Sequence, residues 1–166
     1  MMRKVVLIFL LFLPIITSCA NVGRVSSVID PKDVEKEDLK SLPQVTTPLY
    51  KFKVTTVKSL SDKSGKIVKE VDSQFTEFSR CMNIRDKGSK ARTNLISVVN
   101  GTFECKYHGG RCNGEYDSRN ELIIVTYRAF NREGTLPLLQ HEWAHAYGFL
   151  KPDDSNLNKL KRCTKY

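Results

Sequence analysis

The apolar positions of this chain fall into two periods, one of two residues and one of three to four, and these predict most of its elements. Tyr50 to Val57 (YKFKVTTV) alternates and is rich in aromatic and β-branched residues, the pattern of a strand. Ser64 to Met82 places Ile67, Val68, Val71, Phe75, Phe78 and Met82 at spacings of three and four, which predicts an amphipathic helix. Leu95 to Val99 and Thr102 to Tyr107 are joined by Asn100-Gly101. That pair readily supplies the positive φ angles of a tight type I′ turn, so a hairpin is predicted there. The stretch Cys112 to Asn120, with Asn113-Gly114, is turn-rich, and Glu121 to Phe130 (ELIIVTYRAF) is the strongest strand signal. Thr135 is placed to cap a second helix, with Pro137 tolerated in its first turn. The order strand, helix, hairpin, strand, helix predicts an α+β layout, one sheet packed by two helices.

The pattern fails at the other end of the chain. Ser26 to Lys40 is polar and mixed in charge, and Pro31, Pro43 and Pro48 interrupt any helix. Residues 20 to about 47 therefore read as a tether. Before it, Arg3 and Lys4 precede an almost wholly apolar run, Val5 to Ile16, too short to span a membrane as a helix but suited to a secretory signal. The run ends in Ile16-Thr17-Ser18-Cys19, which resembles the lipobox of bacterial lipoprotein signal peptides. The resemblance implies cleavage after residue 18 and acylation of Cys19. Residues 1–18 are then the signal peptide, 19–47 the lipidated cysteine and tether, and 48–166 the folded domain. Ala20 is similar to the residues that direct lipoproteins to an outer membrane, which would hold the domain in the periplasm.

Composition changes the picture in two places. The chain has 166 residues, enough for one ordinary domain, and five cysteines. With Cys19 set aside for lipid, an even number remains for an oxidising compartment. The turn-rich Tyr107-His108-Gly109-Gly110 favours a short Cys105–Cys112 loop, which leaves Cys81 for Cys163. Net charge is +9, and loss of Arg3 and Lys4 with the leader brings it to +7. In an exported protein such a balance points away from nucleic acid, towards a soluble basic surface or an anionic lipid or polymer partner.

The segment with chemistry in it is His141-Glu142-Trp143-Ala144-His145. Imidazoles at i and i+4 share one helix face and can hold one zinc ion together. With His141 at zero, an advance of about 100° per residue puts His145 near 40° and Leu138 near 60°. Leu136, Leu139, Trp143, Ala146 and Leu150 fall between about 140° and 220° on that scale, so the core stripe is expected opposite the histidines. Glu142, about 100° round from His141, is placed to take a proton from a water that the metal polarises.

His141 to Phe149 (HEWAHAYGF) resembles the active-site helix of zincin metallopeptidases, and Gly148 matches the glycine of the metzincin subgroup. The strand at 121–130 is similar to the one that precedes that helix. The resemblance covers about 30 residues, 121–150. It implies a small zincin-like domain, peptide-bond hydrolysis on a peptide or protein substrate, zinc held by His141 and His145, and Glu142 as general base. The chain departs from the family at the third ligand. Lys151 stands where a metzincin has its third histidine, and neither His nor Glu follows His145. The oxygen ligands that remain are Asp153 and then Asp154. His108 is a further candidate ligand, and Tyr127, Tyr147 and Tyr166 are candidate hydrogen-bond donors to an oxyanion. Two rival readings stay open: an envelope lipoprotein that keeps a structural metal site without catalysis, and an interaction module.

The lipobox carries its own test. The mature chain is expected to begin at an acylated Cys19 and to enter the detergent phase on phase separation, and Cys19→Ser is expected to release it or stall its processing. Native protein with an unmodified Cys19 in the aqueous phase would contradict this.

Overall fold

The structure, a computed structural model, describes residues 39–105, 110–130, 138–151 and 158–161. In chain order its elements are β1 (Gln44–Thr46), β2 (Lys53–Thr56), α1 (Ser64–Met82), β3 (Leu95–Val99), β4 (Phe103–Glu104), β5 (Arg111–Cys112), β6 (Gly114–Asp117), β7 (Leu122–Thr126), α2 (Leu138–Ala146) and α3 (Asn158–Lys161). Short 3-10 turns lie at Lys58–Lys63, Ala91–Thr93 and Tyr127–Phe130.

The helix predicted over Ser64 to Met82 forms with those bounds and buries Ile67, Val68, Val71, Phe75 and Phe78. It stops at Asn83, which adopts left-handed backbone, while the Ile84 N–H reaches back to the Ser79 carbonyl at 2.8 Å. Five strands form a mixed sheet in the order β1-β2-β3-β7-β6. The three central strands, β2, β3 and β7, run parallel, and β1 and β6 are antiparallel additions at either end. A parallel β2–β3 pair needs a crossover, and α1 is that crossover. Register aligns Val54, Ile96 and Ile123 in one row and Val98, Val125 and Gly114 in the next on the same face. Phe52, Phe75, Phe78 and Trp143 pack together in the core, with Phe75–Trp143 centroids at 5.0 Å and Phe52–Phe75 at 4.8 Å.

The α+β class holds, but the sheet differs from the one expected. Leu95–Val99 does not form a hairpin with the segment after Asn100-Gly101. All five residues of β3 are buried, and parallel neighbours occupy both of its edges. A strand buried on both faces reads as a continuous apolar run, which is what LISVV is. The chain therefore leaves the sheet at Gly101, and Phe103–Glu104 pairs instead with Arg111–Cys112 in a separate two-stranded ribbon. The turn-rich Cys112 to Asn120 contains the edge strand β6. Its turn is confined to 118–121, where the Asp117 carboxylate accepts from the Arg119 and Asn120 N–H groups. Gln44–Thr46, inside the expected tether, forms β1 on β2. The loop between them is tied down by Asp72, which accepts from the Leu49 N–H at 2.7 Å and the Tyr50 N–H at 3.2 Å.

The Cys105–Cys112 disulfide forms, with Cα atoms 5.4 Å apart, and closes the β4–β5 ribbon. Cys81 is also disulfide-bonded, to a cysteine outside the described residues, where Cys163 and Cys19 both lie. Cross-linking across a loop of this length removes unfolded-chain entropy worth about 2.5 kcal/mol. The double variant Cys105→Ala, Cys112→Ala is therefore expected to lose about 2–3 kcal/mol in urea unfolding. A loss under about 0.5 kcal/mol would show that the ribbon is held by other contacts.

Candidate metal centre

Helix α2 is built from good helix formers, with no Gly, Pro or β-branched residue in LLQHEWAHA. Its end is set by Gly148, whose φ of +73° only glycine takes without strain. The Gly148 N–H donates to the His145 carbonyl at 2.9 Å and the Phe149 N–H to the Ala144 carbonyl at 2.8 Å, the paired bonds of a Schellman cap. The glycine that matched the metzincin pattern thus has a structural duty here: it caps the histidine helix, which ends at Ala146, directly after its second histidine.

The rotation of α2 follows from what it buries. Leu139, Trp143 and Ala146 face the core, as their positions on the helix require, and Leu150 beyond the cap is buried with them. Burial extends further than the sequence indicated. Gln140, Glu142 and Ala144 are also buried, so the helix is covered on its flanks as well as its underside. A side-chain latch fixes it there. Gln140 Nε2 donates to the Gln74 carbonyl on α1 at 3.3 Å, and Gln74 Nε2 donates to the Ala129 carbonyl at 2.9 Å. His141 and His145 are left half-buried on the remaining face.

On that face the two imidazoles converge. Their Nε2 atoms lie 3.2 Å apart, with the rings edge to face. Two nitrogens bound at about 2.0–2.1 Å to one tetrahedral ion would lie about 3.3 Å apart. The pair therefore has the spacing of two ligands to one zinc, which is also the spacing of an N–H···N hydrogen bond in metal-free protein. Among the described residues no group of three His, Cys, Asp or Glu side chains comes together. Asp153, Asp154 and His108 lie outside the described residues, as do Thr135, Pro137 and Tyr166.

Glu142 turns to the flank, towards the edge strand. A Cβ added at Gly114 would sit 2.5 Å from Glu142 Oε1 and under 3 Å from Leu138 Cδ1 and Cγ. Gly114 is thus the notch in β6 that admits the Glu142 carboxylate. Sequence reasoning missed it because Asn113-Gly114 is also a turn signal, and only the pairing of Gly114 with Val125 shows it to be in a strand.

Of the candidate hydrogen-bond donors, Tyr147 and Tyr127 are engaged elsewhere. The Tyr147 hydroxyl donates to both Asp86 carboxylate oxygens, at 3.0 and 3.1 Å. Burial, reinforced by that carboxylate, pushes the Tyr147 hydroxyl far above the usual phenol range. Burial disfavours the Asp86 charge, but the N–H groups of Lys90 and Gly88, then Tyr147 and Ser89, outweigh it and hold its carboxyl below the ordinary value. Tyr127 packs against Phe130, with Lys63 over its ring.

Compared with known proteins, the chain matches no family model, no curated protein and no solved structure. The site's geometry and chemistry therefore carry the functional reading without help from a relative.

The notch predicts a contrast between two glycines. Gly114→Ala is expected to cost about 1–3 kcal/mol, since Leu138 and Glu142 must both move. Gly65→Ala, in α1 with nothing within 4 Å of the new methyl, is expected to be neutral or to add up to about 1 kcal/mol. Urea unfolding of the two variants beside wild type checks this, and equal stabilities would show that the Glu142–Gly114 contact is slack.

Proposed function

We propose that this chain is a zinc-dependent peptidase-like lipoprotein of the bacterial envelope, with a small zincin-like domain tethered through Cys19. The observation that carries the reading is the convergence of His141 and His145 Nε2 atoms to 3.2 Å on the one face of α2 that the core leaves partly open. A mixed sheet with α2 packed along its edge strand agrees with the proposed fold.

His141 and His145 would hold the zinc through Nε2, with an oxygen of Asp153 or Asp154 as the proposed third ligand. When bound, the ion supplies Lewis acidity, lowering the pKa of water and polarising a carbonyl. The chain's own residues do the rest. Glu142, one position along the helix from His141, accepts the proton of the attacking water and returns it to the leaving amine. Gly114 gives its carboxylate room. β6, the last strand in the sheet order, offers backbone groups along which an extended peptide can lie beside Glu142.

One observation favours a second reading, a structural metal site without catalysis. Glu142 is only 3% exposed, and a base must reach water to act. The two readings part on substitution. Folded wild type is expected to hold about one zinc per chain. His141→Ala and His145→Ala are expected to lose it. Glu142→Gln should keep the metal while cleavage of a broad peptide library falls at least about 100-fold, the low end for removal of a general base. Of Asp153→Asn and Asp154→Asn, the one that weakens zinc identifies the third ligand. Stoichiometric zinc without cleavage by wild type supports the structural site. A metal-free wild type whose fold is unchanged by His141→Ala would end both readings.

A further inference from the structure

The loops at one end of the sheet gather basic side chains around an exposed leucine. Leu49 and Val45 are the exposed large apolar residues of the described chain, and Leu49 is the more exposed at 63%. Leu49 lies in the β1–β2 loop with exposed Lys51 beside it, and exposed Lys53 opens β2. The loop after α1 brings exposed Arg85, Lys87 and Lys90 to the same end. The two loops are joined: Arg92 Nη1 donates to the Tyr50 carbonyl at 3.1 Å and the Lys87 carbonyl at 3.2 Å. Gly88 fits closely against Phe52, so the second loop sits directly on the first.

The carboxylates among these residues are turned inward. Asp72 is buried and accepts the Leu49 and Tyr50 N–H groups. Asp86 accepts from Gly88, Lys90, Ser89 and Tyr147. The exposed acids nearby are Glu77, beside Thr76 whose hydroxyl meets Tyr50, and Glu121, whose carbonyl accepts from the Leu95 N–H. Outward charge at this end is therefore predominantly positive.

The chain also enters the described domain here. Lys40, next to the first described residue, reaches the Asn120 side chain in the turn before β7, at the same end as Lys53, Leu95 and Leu122. Nineteen residues lie between Cys19 and Leu39. Fully extended, that length spans up to about 70 Å, so an anchor at Cys19 secures attachment without setting orientation.

We propose that this basic end docks on the anionic phospholipid headgroup layer of the membrane, with Leu49 inserted among the headgroups. The proposal rests on the membrane attachment in the functional reading above and is independent of the metal. Basic side chains near such a surface each strengthen binding about fivefold at moderate salt, and one exposed leucine adds a short-range apolar contact. Docking by this end would turn Gly114 and Glu142 away from the bilayer, because Gly114 pairs with Val125 at the opposite end of the strands from Leu122.

The test uses the full chain reconstituted into vesicles of phosphatidylcholine alone or with one-third phosphatidylglycerol. Flotation is measured first, then hydrogen exchange. The expected result is flotation with both vesicles, but slowing of exchange by fivefold or more across 47–53 and 83–92 only with the anionic lipid. Half-molar salt should reverse that slowing. Lys51→Glu with Lys87→Glu should abolish it and Lys51→Arg with Lys87→Arg retain it, with β3 amides protected in every variant as the check on folding. Flotation with no such slowing, or equal slowing on neutral vesicles, overturns the docking and leaves the anchor standing. Failure to float with either vesicle overturns the anchor and the docking together.

Discussion

The site depends on the burial of Trp143. Its ring is enclosed by Phe52 from the loop before β2 and by Phe75 and Phe78 from α1. Burying so large a side chain contributes more than any hydrogen bond in the helix, and its loss would cost about 3–5 kcal/mol. Because the helix turns about 100° per residue, fixing Trp143 inward sends residues two before and two after it outward. Those residues are His141 and His145. The core thus sets the aim of the histidine pair, and the Gln74–Gln140 latch and the Gly148 cap hold the helix at that rotation and length.

From the same rotation Glu142 comes to the flank of the helix, against the edge strand. The contrast with the histidines is physical. Two half-buried imidazoles can lose or gain a ligand without large desolvation, whereas a carboxylate taken almost wholly out of water needs partners around it. Gly114 is what allows that carboxylate to approach the backbone of β6 at all.

The features legible in the sequence were those set by local period. α1 was readable from its spacing of three and four, and the inward face of α2 from the placing of Leu139 and Trp143 opposite the histidines. The Cys105–Cys112 bridge was legible for a similar reason, since a short turn-rich loop leaves the two cysteines close. Pairing between distant segments was not legible. Asn100-Gly101 is a strong hairpin signal, but the long-range burial of β3 between β2 and β7 outweighs it. β6 and its notch were hidden because Gly114 and Asn113 carry turn character, and β1 because three exposed residues beside prolines show no apolar alternation. Asp153 and Asp154 stand in a sequence segment with no apolar period to read, and they lie outside the described residues.

The claim at the centre is that His141 and His145 bind one zinc ion through their Nε2 atoms, and the most direct measurement of it is zinc-edge X-ray absorption on the chain loaded with one equivalent. The expected spectrum has two imidazole ligands in one shell at about 2.0–2.1 Å, with light oxygen scatterers completing four-coordination and one imidazole lost in His145→Ala. A sulfur shell near about 2.3 Å, or a spectrum unchanged by His145→Ala, would contradict it.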